Sequence, residues 1–278
     1  MNRSRFSLSR LCFWLGIGFL YAPMVVLIVY SFNSSRLVTV WAGWSTKWYG
    51  ELFRDEQIMN AVGRSLQVAF YSASTAVVLG MLASIVIVRF RRFRGRTLFS
   101  GMITAPLVMP DVIIGLSMLL LFVAMAQSIG WPPQRGLLTV WIAHTTFCVA
   151  YSTVVISSRL REMDQSLEEA ALDLGATPVR AFFLVTLPII APSILSAWLL
   201  SFTLSLDDVV IASFVTGPGA TTLPIEVFSS VKLGVTPKIN ALATIIIGVV
   251  SLVAFGSWYV SRRIDERNRA AARMAAEA

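Results

Sequence analysis

The sequence has little charge, and charge is absent from long parts of it. Charged residues make up 14% of the 278 positions and hydrophobic residues 56%, whereas a soluble domain is about 25% charged and about 45–50% apolar. This composition excludes an ordinary soluble globular protein and an intrinsically disordered one. The net charge of +8 would be typical of nucleic-acid binding in a soluble chain, so its meaning depends on where the basic residues lie.

The chain also lacks the residue patterns of a catalytic or metal-binding protein. No lysine follows a glycine, so there is no phosphate-binding G-x-x-x-x-G-K-[ST] loop. Cys12, Cys148 and the single histidine, His144, are too few for a metal site or a hydrolytic triad. We expect both cysteines to pack in apolar surroundings and His144 to be a core residue with one hydrogen bond. The chain is therefore expected to be non-enzymatic and to hold no cofactor or metal.

Long runs without charge predict the membrane spans. Six segments of 23 to 26 residues contain no Asp, Glu, Lys or Arg, and a helix needs roughly 20 apolar residues to cross a bilayer. Strands of a membrane barrel are shorter and alternate in polarity. The sequence thus predicts an all-α integral membrane fold with six transmembrane helices, near Leu11–Phe32, Ala61–Val88, Leu98–Met125, Leu137–Ser158, Leu187–Leu206 and Ala241–Tyr259. The uncharged segment 209–225 is rich in Gly and Pro, which is typical of a loop or re-entrant segment.

The basic residues predict the orientation. With a cytoplasmic N-terminus, sixteen of the 23 Lys and Arg residues fall on the cytoplasmic side, as the positive-inside rule requires. Both termini are then cytoplasmic, and the first span is too long for the core of a cleaved signal peptide. We expect three parts: 1–60 with the first span and an outer loop, 61–259 with five core spans, and 260–278, a cytoplasmic tail forming a solvated helix.

The cytoplasmic loop 159–186 contains a short amphipathic pattern. Ser166 and Glu169 have the S-x-x-E spacing of a helix capping box, and Gly175 suits the left-handed position after a helix. An apolar stripe recurs at helical spacing through Leu167, Ala170, Ala171 and Leu174. Spacing alone leaves two alternatives open: the helix rests on the protein's own bundle, or it docks on a cytoplasmic partner.

A longer motif in this loop matches a known family. Glu169-Ala-Ala-x3-Gly175, followed after nine intervening residues by Val185-x-Leu-Pro188, resembles the EAA loop of binding-protein-dependent ABC importer permeases, E-A-A-x3-G-x9-I-x-L-P. Val185 in place of Ile is the one departure. In that family the loop sits in a groove of the ATPase subunit. The resemblance implies that Ser166–Gly175, here called the coupling segment, contacts an ATPase through Ser166, Leu167, Glu168, Glu169, Ala170, Ala171, Leu174 and Gly175.

Further segments resemble the polyamine permeases of that family. They are Tyr30–Asn33, Trp41–Tyr49, Thr104–Val112, Ser157–Leu160, Ser205–Val209, Thr216–Pro224 and Asn240–Thr244. The resemblance implies a type I importer fold in the bacterial inner membrane, with putrescine favoured over spermidine as substrate. It also implies a heterodimer with a second homologous permease, an ABC ATPase dimer that binds ATP and Mg²⁺, and a periplasmic polyamine-binding protein. A stand-alone secondary carrier is the alternative, and it predicts internal repeats or a charge relay that we do not find.

Acidic residues at the predicted spans are candidates for the substrate pathway. A carboxylate in the bilayer interior costs several kcal/mol unless it is solvated or paired. Three acids lie in or at the ends of spans, with no basic residue in the interior spans to pair them: Asp111, Asp207 and Asp208. Carboxylates and aromatic faces suit a diammonium substrate, and the nearby aromatic candidates are Trp198, Phe202 and Phe214. Helix capping, ion pairing with the partner permease and ordinary packing are the alternatives.

The outer loop offers further candidates. Its aromatic residues are either interfacial anchors or a docking surface for the binding protein: Trp41, Trp44, Trp48 and Tyr49. Glu226 is either a contact for the binding protein or a solvated charge.

Overall fold

Twelve α-helices follow one another in this computed structural model, which describes residues 4–37, 40–90, 92–234 and 236–277. They are α1 Ser4–Ser31, α2 Lys47–Phe53, α3 Glu56–Arg89, α4 Arg96–Thr104, α5 Asp111–Ile129, α6 Leu137–Glu162, α7 Ser166–Asp173, α8 Pro178–Ala181, α9 Leu187–Asp207, α10 Val210–Val215, α11 Leu223–Leu233 and α12 Pro237–Glu277. A 3-10 turn at Ala105–Leu107 follows α4, and a π-helical segment at Phe182–Thr186 joins α8 to α9. The predicted all-α fold is confirmed.

Most of the predicted spans are present as long apolar helices. Five stretches of the described chain are long and apolar enough to cross a membrane: Leu8–Ser31, Glu56–Arg89, Asp111–Ile129, Leu137–Glu162 and Pro178–Asp207. The sixth predicted span lies in α12, whose apolar part Pro237–Val253 is shorter. Two of the arginines that we expect on the cytoplasmic side, Arg3 and Arg91, lie outside the described residues, as does Ala278 at the end of the predicted cytoplasmic tail.

The predicted third span, Leu98–Met125, is wrong as a continuous helix. Helix α4 ends at Thr104, the chain turns, and α5 begins at Asp111. Pro106 and Pro110 explain the break, because proline lacks the amide hydrogen and collides with the preceding helical turn. Asp111 therefore lies in the first turn of α5 rather than a dozen residues inside a helix. A carboxylate there is favoured by the helix dipole.

One compact unit comprises Met1–Glu56 and Ser230–Ala278. In it α12 contacts both α1 and α2, and Nζ of Lys238 donates a hydrogen bond to Oδ2 of Asp55 at 2.7 Å. The loop after α1 is organised by the buried Asn33, whose Nδ2 donates to the carbonyl of Val40 at 2.7 Å and whose Oδ1 accepts from the amide of Ala42 at 3.0 Å. Asn33 thus joins the described residues on either side of positions 38 and 39.

The second compact unit, Gln57–Ser229, holds the core of the bundle. Helix α6 packs on α9, and hydroxyl groups join the helices: Ser84 donates to the carbonyl of Thr153 at 3.0 Å, and the Ser152 and Ser201 hydroxyls lie 2.8 Å apart. A Cβ at Gly80 of α3 would lie 2.7 Å from Cβ of Ser152. Small residues and interhelical hydroxyl bonds are typical of close helix packing in membranes.

The segment 209–225 contains α10 and the start of α11, and neither helix is long enough to span a membrane. The first of them, α10, buries Ile211, Ala212 and Val215 against α5 and α6. Its close approach to α5 depends on Gly115, where a Cβ would lie 2.7 Å from Cδ2 of Phe214. The structure thus has no spanning helix in this segment, as expected, and a re-entrant path stays a prediction.

Candidate functional site

The coupling segment forms the short helix α7, with a different start from the one predicted. Ser166 is the first helical residue instead of the N-cap, and no side-chain capping bond is formed by the N-cap residue, so the predicted capping box is wrong. Asp164 takes that role, since its Oδ1 accepts a hydrogen bond from the amide of Ser166 at 2.9 Å. This bond holds the pKa of the exposed Asp164 carboxyl below its usual range. Gly175 has a φ of +85° and ends the helix as predicted.

The apolar stripe of α7 is largely uncovered. Leu174 is 90% exposed and Leu167 and Ala170 are also exposed, whereas Ala171 is half-buried. A helix that rested this stripe on its own bundle would bury these side chains. The exposed stripe thus favours the second alternative, docking on a partner.

Glu168 lies on another face of α7 and points back into the protein. Its Oε1 is 2.5 Å from Nη2 of Arg89, the last residue of α3, and it accepts a hydrogen bond from the hydroxyl of Thr186. Thr186 is 1% exposed and ends the π-helical segment before α9. We call these three residues the Glu168 joint. Sequence reasoning missed Arg89 and Thr186; the available signal was a threonine set among apolar residues within the EAA pattern.

Asp208 is fixed by contacts within the protein. Its carboxylate accepts hydrogen bonds from the amides of Ile211 at 3.3 Å and Ala212 at 2.7 Å, so it caps α10. Its Oδ2 also lies 3.2 Å from Nε2 of His144, and the side chain is 9% exposed. The structure thus has Asp208 in the helix-capping position that was the alternative to a place in the substrate pathway.

His144 is the residue that sequence reasoning undervalued. It is 1% exposed and its Nδ1 is hydrogen-bonded to Oγ of Ser205 at 2.7 Å, as expected for a core residue with one hydrogen bond, while its Nε2 lies 3.2 Å from Oδ2 of Asp208. The expectation that no basic group could pair with the three acids is therefore wrong for Asp208. A polar face on α9, with Ser201 and Ser205 one turn apart, was the signal in the sequence.

Asp207 and Asp111 differ from Asp208 in being exposed. Asp207 ends α9 and Asp111 begins α5. One turn after Asp111, Gly115 contacts Phe214 of α10, so the first turns of α5 lie beside the helix that Asp208 caps. The roles of Asp207 and Asp111 in a substrate pathway stay predictions.

The aromatic candidates form a cluster on α9. Trp198 stacks on Phe202 with ring centroids 5.1 Å apart, meets the edge of Phe70 at 5.8 Å, and donates from Nε1 to Oγ of Ser74 at 3.1 Å. Both Trp198 and Phe202 are half-buried. Phe214 instead packs against Gly115, which is the packing role kept as its alternative.

The candidates of the outer loop also include both buried and exposed residues. Trp48 is 5% exposed and donates from Nε1 to the carbonyl of Asn33 at 2.6 Å, so it is a core residue of its unit rather than an interfacial anchor. Trp41 and Trp44 are exposed and pack edge to face at 5.1 Å. In the other unit, Glu226 accepts a hydrogen bond from Nε2 of Gln57 at 2.8 Å.

Comparisons with known proteins identify close relatives of the sequence. The family model for the inner membrane component of binding-protein-dependent transport systems matches residues 76–268. The putrescine transport system permease protein PotI of Escherichia coli K12 is 66% identical over 253 residues, covering 91% of this chain and 90% of PotI. The spermidine/putrescine permease protein PotC of Haemophilus influenzae is 42% identical over 250 residues, covering 90% of this chain and 94% of PotC.

The backbone also resembles solved transporter structures. A chain of a bacterial ABC transporter that imports the acidic polysaccharide alginate superposes with a TM-score of 0.70, covering 94% of this chain and 98% of that one. The two are 16% identical, so this likeness concerns the fold alone. The predicted type I importer permease fold is thereby confirmed.

Proposed function

This chain belongs to the family of inner membrane components of binding-protein-dependent transport systems, and on that basis we propose that it is the permease subunit of an ATP-driven importer of putrescine. The observation that carries the proposal is the 66% identity with a putrescine permease across 91% of the chain. Relatives are transport permeases, which supports a non-catalytic role, with ATP hydrolysed by a partner. The multi-pass inner-membrane location follows from the family; cytoplasmic termini are part of the proposal.

The exposed stripe of α7 supports the coupling part of this function. A cytoplasmic ATPase would cover Leu167 and Leu174, so that closure of the ATPase dimer around ATP displaces α7. The permease heterodimer then turns outward, accepts the amine from a docked periplasmic binding protein, and releases it inward. This sequence of events needs no bond chemistry in the present chain.

The acids support the choice of a cationic substrate. Asp208 is engaged with His144 and α10, so we assign its role to holding the end of α9. Asp207 and Asp111 are exposed carboxylates at helix ends and are the groups proposed to face a diammonium substrate. Trp198 and Phe202 present aromatic faces that attract such cations.

The test is reconstitution of the complex in proteoliposomes. Co-expression with the ATPase, the second permease and the binding protein should yield a stable detergent complex that imports labelled putrescine only with ATP. A chain that carries out ATP-independent exchange by itself would contradict the proposal and favour a secondary carrier.

Spermidine is the second candidate substrate, because PotC of Haemophilus influenzae, at 42% identity, is named for spermidine and putrescine. Uptake of labelled putrescine is measured in the presence of unlabelled putrescine or of unlabelled spermidine. We expect unlabelled putrescine to inhibit this uptake at the lower concentration, and the reverse order would assign the chain to spermidine.

A further inference from the structure

The Glu168 joint connects three parts of the chain that are distant in sequence. One carboxylate oxygen contacts the guanidinium of Arg89 at 2.5 Å and accepts a hydrogen bond from the hydroxyl of Thr186. Arg89 ends the long helix α3, and Thr186 leads directly into α9. The side chains of Arg89 and Glu168 are 21% and 24% exposed, so water reaches the pair only in part.

Helix α7 is flanked by two positions at the ends of elements where the backbone can rotate. Met163, at the end of α6, is extended, and Gly175 takes a left-handed conformation after α7. Such positions are where hinges absorb backbone rotation. Rotation at these positions would absorb the part of a displacement of α7 that no contact with the bundle transmits.

Helices α3 and α9 are themselves tied together within the bundle. Nε1 of Trp198 on α9 donates to Oγ of Ser74 on α3 at 3.1 Å, and α6 is bonded to both helices through Ser84–Thr153 and Ser152–Ser201. A rigid tie between α7 and these helices would pass a displacement into the bundle as a whole.

From this geometry we infer that Glu168 is a positioning residue that transmits movement of α7 to α3 and α9 through Arg89 and Thr186. The inference rests on the proposed function and deepens it: Glu169, which is exposed, belongs to the outer surface of α7, while Glu168 belongs to the connection between α7 and the bundle. The π-helical turn that ends at Thr186 is the kind of irregularity found at functional sites in helices.

The test measures the number of substrate molecules imported per ATP hydrolysed by the full complex in proteoliposomes. Arg89→Gln and Glu168→Gln should each lower this ratio by about twofold to thirtyfold, the range seen when coupling networks are disturbed. The ATPase should still co-purify, because the exposed stripe of α7 is unchanged. The double variant should lower the import per ATP no further than the worse single variant does, because the two single variants remove the same contact.

Two matched comparisons keep the test decisive. Arg92→Gln removes an exposed positive charge shortly after α3 and should leave the ratio unchanged. Thr186→Ser keeps the hydroxyl and should preserve the ratio, whereas Thr186→Val should lower it; this pair decides the matter if Glu168→Gln fails to assemble.

The outcomes separate the inference from the proposed function. A native complex that imports putrescine with ATP, together with variants whose import per ATP equals that of the native complex, overturns the role of Glu168 alone. Additive losses in the double variant also overturn it, because they mean that Arg89 and Glu168 act separately. A native complex without ATP-driven uptake overturns the proposed function, and the inference falls with it.

Discussion

Two pairs of adjacent acids, Asp207–Asp208 at the end of α9 and Glu168–Glu169 in α7, are built in a similar way. In each pair one carboxylate contacts the protein and its neighbour is exposed. In α7 successive residues point about 100° apart, and Asp208 follows the last helical residue of α9 with an extended backbone, so in each pair the two acids face different surroundings. An acidic pair at a helix end can thus combine an internal anchor with a charge that is free to meet a partner or substrate.

The two anchors differ in what they connect. Asp208 accepts hydrogen bonds from two amides that follow it in the chain, and it faces His144 inside the bundle. It therefore fixes the corner between α9 and α10. Glu168 instead bonds to residues of two other helical segments at the edge of the bundle. The first arrangement favours rigidity at one site, and the second favours transmission between segments.

The largest effect is expected from Leu174→Asp, which tests whether α7, unlike the corner held by Asp208, meets a partner. Leu174 is 90% exposed in this chain, so the change should leave the permease folded while placing a charge in the interface with the ATPase. We expect binding of the ATPase to weaken about thirtyfold or more and uptake to be lost. Co-purification in detergent measures the first effect and proteoliposome uptake the second.

Asp173→Asn is the matched control for Leu174→Asp. Asp173 is exposed on α7 but lies off the apolar stripe, so the ATPase should still co-purify. Retention of the ATPase by Leu174→Asp would mean that the stripe is not its docking surface.

The next effect concerns stability. Asp208→Ala leaves the amides of Ile211 and Ala212 without their acceptor and removes the carboxylate that faces His144, and loss of buried partners of this kind costs about 1–3 kcal/mol. Thermal unfolding of the purified complex should therefore begin at a lower temperature. Asp207→Ala, which removes the exposed neighbour, should shift unfolding much less, and equal shifts would contradict the division of roles.

The sequence predicted elements whose signal is local and missed contacts that depend on packing. Charge-free runs located the spans, and the glycine at 175 located the end of α7, because both follow from composition and backbone conformation. The break before Asp111 was missed because an apolar run looks the same whether it forms one helix or two, although Pro106 and Pro110 marked the place.

The contacts of Asp208 and Glu168 could not be predicted from composition or local sequence patterns. His144 reaches Asp208, and Arg89 reaches Glu168, only after α6, α9 and α3 have packed. Their sequence positions indicate polar groups among apolar ones, without saying which groups meet. The start of α7 shows the same limit at short range, since both Asp164 and Ser166 can cap a helix and the sequence pattern favoured the wrong one.

A smaller effect should come from Asp207→Asn, which tests the exposed member of the pair. Removing one negative charge from the path of a dication should raise the apparent KM for putrescine by roughly tenfold, the lower end of what charged clefts contribute. Stability should stay the same. Glu51→Gln neutralises an exposed acid of α2 and should leave KM unchanged; an equal effect of both variants would mean a general surface charge effect.

The smallest effect is expected at Asp164, which accepts the hydrogen bond that starts α7. Because this bond lowers the pKa of the carboxyl, the stabilisation is present above the pKa of the unfolded chain and is lost as pH falls through the lowered pKa. Hydrogen exchange of the amides of Ser166–Glu169 should therefore be slower than in Asp164→Ala at neutral pH, and the difference should vanish in acid. The effect is small because water competes for a fully exposed carboxylate.

Asp164→Asn is the control, because it keeps an acceptor that does not titrate. The exchange protection of the same amides should then be independent of pH in this range. A pH dependence equal to that of the native chain would assign the titration to another group.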